Sequence, residues 1–273
     1  MKNIIKNTTL AAVVMGAVIQ PAIAHRAWFL PSTTVLSGEA PWVTIDAAVS
    51  NNLFFPNHRA ISPDSIKVTD PDGKPLEIQG ASEGKIRTTF DLQLPQTGTY
   101  VISSGRSSFG AAWKEGEERK RWRGTLEQFK KEGLAKKPGI QLSDSTSRIV
   151  TYVTAGKPNK TALATTGKGL EIDFTHIHPN DLFSGEAATF TLLIDGKPAA
   201  DTEVTIVKGN DRFRNDAGEE KIKTNAKGEF TYTWPTAGRY WLTAQVSSEQ
   251  DKVEGVPFSK RASFSATFEV LPE

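Results

Sequence analysis

The sequence predicts a mainly β protein, built as two tandem Ig-like antiparallel β-sandwich domains with one amphipathic helix inserted between the repeats. Three signals that occur twice in the same order carry this reading. Ser37-Gly38-Glu39-Ala40 returns as Ser184-Gly185-Glu186-Ala187, and Asp72-Gly73-Lys74-Pro75 returns as Asp195-Gly196-Lys197-Pro198. Phe90-x-Leu92-x-Leu94-Pro95-x-x-Gly98-x-Tyr100 then matches Phe230-x-Tyr232-x-Trp234-Pro235-x-x-Gly238-x-Tyr240.

In chain order, Lys2 and Lys6 form a basic start, Leu10 to Ile19 an apolar stretch, and Ala22 and Ala24 a small-residue cleavage signature. Residues 1–24 therefore read as a secretion signal, and the expected location is the periplasm. Cleavage after Ala24 makes His25 the first residue of the mature chain. The first domain is expected over residues 25–160. Val43, Ile45, Ala47 and Val49 alternate with more polar neighbours, the period of a half-buried strand. Asp-Gly in each copy suits a hairpin turn with positive φ. The Pro-x-x-Gly-x-Tyr element ends one strand and restarts the next, a punctuation common in antiparallel sandwiches. From Trp113 to about Gly133 the chain is dense in Glu, Lys and Arg, with Trp122, Leu126 and Phe129 at helical spacing, so a single amphipathic helix is expected there. Ala155 to Gly169 reads as a linker, and residues 161–273 as the second domain. Each copy has its own insertion: Asn51 to Val68 in the first, with Phe54-Phe55-Pro56-Asn57-His58, and the polar stretch Lys208 to Lys221 in the second.

Composition removes several kinds of chemistry. The chain has no cysteine, so disulfides, thiolate metal sites and cysteine nucleophiles are excluded. Its formal net charge of +2 falls to about zero once Lys2 and Lys6 leave with the signal. That argues against nucleic acid, which needs a net basic footprint. No stretch beyond the signal is long and apolar enough for a transmembrane helix. Neither a Gly-x-Ser-x-Gly elbow nor a phosphate loop is present, and the carboxylates are scattered without a marked pair.

The four histidines, His25, His58, His176 and His178, remain as the candidate metal ligands. A free N-terminal His25 offers an amine and an imidazole on one residue, a chelate suited to copper(II) or nickel(II). His176 and His178 stand two apart on an expected strand running from Leu170, which places them on the face of Leu170, Ile172 and Phe174. That pair can clip a metal or hydrogen-bond backbone where the domains meet. His58 lies in a loop, where a surface histidine is the default. Together they can supply three or four nitrogens to copper, nickel, cobalt or zinc if they converge.

His25-Arg-Ala-Trp28-Phe-Leu-Pro31, the Phe54-Phe55-Pro56 loop and the run from Ile177-His-Pro-Asn-Asp through Ser-Gly-Glu-Ala to Pro235-x-x-Gly-x-Tyr240 resemble a known family. The chain is similar to the NikM-like periplasmic proteins associated with nickel and cobalt uptake, over nearly all its mature length. The resemblance implies an exported two-domain β protein that hands a transition metal to a separate membrane transporter. Its mature-start element maps onto His25 and Trp28, and its strand-then-Pro-x-Asp element onto Ile177 to Asp181. The expected function is thus non-catalytic binding or delivery of a divalent metal. Two alternatives stand beside it: an envelope adhesion or scaffold module of tandem Ig-like domains, which needs no special histidine, and a histidine-brace copper redox enzyme, in which the N-terminal amine and imidazole plus a second histidine hold copper.

Overall fold

The computed structural model describes residues 25–273, so the secretion-signal expectation lies outside the described residues. The chain is mainly β, and its antiparallel strands form two sandwiches as the repeats predict. The strands that matter are β1 (Arg26–Pro31), β2 (Trp42–Ser50), β3 (Ile66–Thr69), β4 (Thr88–Gln93), β5 (Gly98–Glu115) and β6 (Glu118–Gly124). After helix α1 (Leu126–Lys131) come β7 (Gln141–Ala155), β8 (Leu170–Asp173), β9 (Ala187–Ile194), β10 (Glu203–Lys208) and β11 (Glu220–Lys223). The last three are β12 (Glu229–Thr233), β13 (Gly238–Val253) and β14 (Val256–Val270).

The two sandwiches share their middle layer. A ten-stranded central sheet runs β11-β10-β13-β14-β7-β5-β3 and on to a short strand at Pro75–Leu76. One outer sheet, containing β1, β2 and β4, packs on one face, and the other, containing β8, β9 and β12, packs on the opposite face. Strand alternation makes this possible. On β5, Tyr100 and Ile102 enter the first core while Val101 enters the second; on β7, Val153 and Ala155 enter the first while Val150 and Tyr152 enter the second. The copies are welded by parallel pairing of β7 with β14, from Leu142 opposite Phe258 to Thr151 opposite Thr267.

Two of the three repeated signals occupy equivalent places. Both Ser-Gly-Glu-Ala runs lead into a strand (β2, β9) that pairs with the strand before the proline (β4, β12). Gly98 and Gly238 then turn at φ +139° and +140°. The phenol of Tyr100 donates to Gln96 O at 2.8 Å and that of Tyr240 to Thr236 O at 2.7 Å, so each copy closes the same corner. The Asp-Gly-Lys-Pro runs are not equivalent. The first turns out of β3 in the central sheet, and the second turns out of β9 in an outer sheet, with φ positive at both Asp195 and Gly196. The first closes a longer loop, with Asp70 N–H donating to Lys74 O and only Gly73 of the pair at positive φ, so this match reports the general preference of tight turns for Asp-Gly rather than duplication.

The expected helix over 113–133 is correct in kind and wrong in extent. Residues 113–124 complete a β-hairpin, and the helix is confined to Leu126–Lys131. Gly116, at φ +64°, makes the turn between β5 and β6. Thr125 and Gln128 form a reciprocal capping box that starts the helix, and Gly133 at φ +63° ends it. Trp122 thus belongs to a strand, and it packs with Phe109 and Phe129 in a separate small core. The alternation of Arg119, Arg121 and Arg123 with Lys120 and Trp122 is the period-two signal that the helical spacing hid.

Candidate metal centre

The end of β2 organises the site. Arg26 on β1 pairs with Ser50, and on the other side of β2 Arg59 pairs with Val49. Both flanking strands run antiparallel to β2, so His25 and His58 are the next residues past its end, one from each side. Their imidazoles meet there: the ring centroids are 3.8 Å apart and the planes are inclined by 17°. Both residues are exposed.

The loop between them is held by its own polar groups. The Trp28 indole donates to Ser50 Oγ at 2.7 Å, and Ser50 Oγ donates to Asn52 O at 2.6 Å. Asn51 N–H donates to Asn57 Oδ1 at 2.8 Å, which draws the loop closed one residue before His58. Phe54, at φ +59°, turns its ring edge-on to Trp28 with centroids 5.6 Å apart.

The second copy supplies the anchor. Its polar insertion carries Asp211, which accepts from the Arg26 guanidinium at 2.5 Å and from Leu53 N–H at 2.9 Å. Glu219 takes the other arm of Arg26 at 2.7 Å, and Arg212 lies 3.8 Å from the centre of the Phe55 ring. The Trp241 indole donates to Ala27 O at 3.0 Å, over a small core of Trp28, Ala48, Leu53 and Val207. One insertion therefore fixes the residue after His25 and the loop that bears His58. Beside it opens a cleft of about 720 Å³, lined in part by Arg26, Asn51, Glu219 and Trp241.

His176 and His178 stand elsewhere, and they do not share a strand face. Strand β8 ends at Asp173, whose carboxylate accepts from Thr175 N–H at 2.9 Å and from its hydroxyl at 2.6 Å. Such a local side-chain turn competes with continued strand pairing. Leu170, Ile172 and Phe174 do enter the second core as expected. Glu171, on the other face of β8, is buried and ion-paired with Arg148 at 2.6 Å. His176 is exposed, whereas His178 is buried at the junction of the two copies.

The contacts of His178 form a closed ring. Its Nδ1 accepts from Asn180 N–H at 3.2 Å, which leaves the proton of the neutral ring on Nε2 to donate to Thr99 Oγ1 at 2.9 Å. Thr99 passes a hydrogen bond to Thr154 at 3.0 Å, and Thr154 donates to Asn180 Oδ1 at 2.9 Å. Burial pushes the imidazole pKa below its usual value, against smaller opposing effects from Asn159 and Asp181. Nδ1 of His178 thus takes the backbone-bonding role left open in the sequence, and the Thr99 hydroxyl occupies Nε2, so both ring nitrogens are engaged.

Arg26, Asp211 and Glu219 carry no sequence motif. Arg26 opens a strand that is otherwise apolar, which is a local hint of a buried partner. Among the described residues no group of three or more His, Asp or Glu side chains converges. The third nitrogen near the pair is the backbone nitrogen of His25, an amide in the full chain and an amine after cleavage at Ala24.

The family match spans residues 22–248. The chain belongs to the DUF4198 family, a domain of unknown function. No curated protein matches it. Solved structures that align with this DUF4198 chain include the D0-D1 domain of intimin, at 16% identity over 86% of this chain and 96% of that one, with a TM-score of 0.20. The human OSCAR ligand-binding domain aligns at 12% identity over 87% and 97%, with a TM-score of 0.19. The FN1-FN3 domains of chicken CNTN1 align at 5% identity over 91% and 99%, with a TM-score of 0.22.

Proposed function

We propose that this DUF4198 protein is a non-catalytic, exported carrier of a divalent transition metal ion, held at the start of the mature chain by His25 and His58. The observation that carries the reading is the approach of those two imidazoles to 3.8 Å, from positions 33 residues apart in sequence. Cleavage after Ala24 adds the His25 amine, giving three nitrogens from two residues. Such a set favours copper(II) or nickel(II), with cobalt(II) and zinc(II) as weaker competitors. The lone pairs of an imidazole lie in its ring plane, so a shared ion requires the stacked rings to rotate about their side-chain bonds. Both residues are exposed and free to do so. His176 and His178 lie outside this ligand set. Delivery to a separate membrane transporter of nickel or cobalt uptake rests on the NikM-like resemblance of the mature start.

Calorimetric titration of a chain beginning at His25 with copper(II), nickel(II), cobalt(II) and zinc(II) tests the reading. His25→Ala, His58→Ala and a form with one extra N-terminal glycine should each weaken binding at least tenfold, while His176→Ala leaves it unchanged. Equal affinity in His58→Ala and the parent would remove the basis of the proposal. The same three nitrogens are those of a histidine brace, so copper redox chemistry is the second reading. Copper-loaded protein that yields oxidised product from chitin or cellulose with a reductant would favour it over simple carriage.

A further inference from the structure

Beyond the shelter of the outer sheets, the long strands of the central sheet continue as an open face with an unusual charge. Residues 114–137 hold nine Lys and Arg against five Glu, in a chain whose overall formal charge is only +2. Strand register sorts these charges by side. Arg119 lies opposite Lys114, Arg121 opposite Ala112, and Arg123 opposite Gly110, so Lys114 and the three arginines project from one face of the β5–β6 hairpin. Trp122 and Phe109 point to the other face, where helix α1 covers them. On the same open face, Arg106 pairs across to Ser147, and Arg261 pairs across to Ser145.

These six cations are exposed, and among the described residues none makes a side-chain hydrogen bond or ion pair, unlike Lys120, Lys130 and Lys137 nearby. The positions between them are small: Ser108, Gly110, Ala112, Ser143 and Ser145. No bulky side chain rises among the arginines to hold a flat partner away. Arg123 and Arg261 are three strand spacings apart, roughly 14 Å, and Arg106 and Lys114 are eight residues apart along β5, roughly 27 Å. Neighbouring arginines on β6 stand about 7 Å apart, less than a Debye length at physiological salt, so their potentials add.

We infer that this face docks on a bilayer bearing anionic phospholipid headgroups. The cations are spread in two dimensions over β5, β6 and β14, with Glu249 the acidic neighbour beside Arg261 at the far edge, a spacing that matches a plane of phosphates better than one linear polyanion lying along a single strand. Each guanidinium presents a fork of donors suited to a phosphate. The charged, small-residue character of the face makes the proposed contact an electrostatic adsorption from one side.

Vesicle flotation tests this with the chain beginning at His25. Binding is expected to phosphatidylcholine vesicles containing about 30% phosphatidylglycerol, and not to phosphatidylcholine alone, with release in about 0.5 M salt. Each arginine replaced by alanine should weaken binding about fivefold, and Arg119→Glu/Arg121→Glu/Arg123→Glu together by about a hundredfold or more. Lys130→Glu/Lys131→Glu, on helix α1, should bind much as the parent does. The inference is overturned by equal binding to neutral vesicles, by salt-insensitive binding, or by a folded triple variant that still floats. Saturable binding to soluble alginate without vesicle binding would also overturn it, in favour of a linear acidic glycan.

Discussion

Replacing Asp211 by alanine should unfasten the start of the chain from the second copy. The Arg26 side chain is 10% exposed and that of Asp211 3%, so the pair is buried, and Asp211 also accepts from Leu53 N–H at 2.9 Å. In the alanine variant the guanidinium keeps only Glu219, whose side chain is 43% exposed, and Leu53 N–H loses its acceptor. Breaking one partner of a buried pair costs about 3–5 kcal/mol, within which the orphaned N–H accounts for about 1–3. In a chain of this size each kcal/mol moves Tm by about 2–4 °C, so a fall of roughly 6–20 °C is expected in a thermal melt. Glu219→Gln, which alters the more exposed partner, should cost under about 1 kcal/mol. Asp211→Asn retains an acceptor for Leu53 and should fall between the two. Because Arg26 adjoins His25 and Leu53 sits in the His58 loop, Asp211→Ala should also weaken metal binding while leaving both histidines in place. A melt within 2 °C of the parent, or a Glu219→Gln cost equal to that of Asp211→Ala, would refute the clamp.

Other substitutions test the junction and the repeated corners. His178 has its pKa depressed by burial, so the unfolded chain binds its proton more readily than the folded one. The stability that it contributes is therefore complete above the ordinary histidine value of about 6.5 and is lost as pH falls towards the folded pKa. Melts between pH 7.5 and 5 should show that loss in the parent and a smaller one in His178→Gln; parallel curves would count against the neutral-ring assignment. In the corners, Tyr100→Phe removes two hydrogen bonds with Gln96, one donated and one accepted, and should cost about 1–2 kcal/mol. Tyr240→Phe removes the bond to Thr236 O and a longer one, 3.4 Å, shared with the Thr236 hydroxyl, and should cost about 1 kcal/mol by urea unfolding; a reversed order would contradict the geometry.

The fold was legible where the sequence repeats a backbone requirement. A glycine near φ +140° followed two residues later by a corner tyrosine is a demand that duplication preserves, and it located β5 and β13 in both copies. The shared sheet was not legible, because pairing of β7 with β14 depends on strand edges that no local pattern marks. Tyr100 and Val101 are adjacent on β5 and enter different cores, and nothing in the local pattern marks a strand that is covered on both faces by different sheets. The histidine pair was half legible. His25 was conspicuous for its place after Ala24, but its approach to His58 is set by registers on both sides of β2. Asp211 was invisible as an anchor, since a buried carboxylate in a polar insertion has the same letters around it as an exposed one. His176 and His178 misled because alternation was extended past Asp173, where a side-chain turn ends the strand.

The clamp and the open arginine face lie on the same side of the central sheet. Trp241, which donates to Ala27 O beside the histidine pair, shares its face with Thr243, Gln245 and Ser247 by alternation, and Ser247 pairs with Arg261. Six residues of strand separate Trp241 from Ser247, about 20 Å. The second outer sheet packs on the opposite face, away from both. A bilayer met by the arginines would therefore have the histidine pair on its own side of the molecule, within reach of a membrane-held acceptor without the carrier turning over. This placement gives the parallel weld between β7 and β14 a functional consequence. It carries the arginine hairpin of the first copy and the anchoring insertion of the second on one sheet, so that, on the proposals above, docking at one end would fix the direction in which a metal held by His25 and His58 is presented at the other.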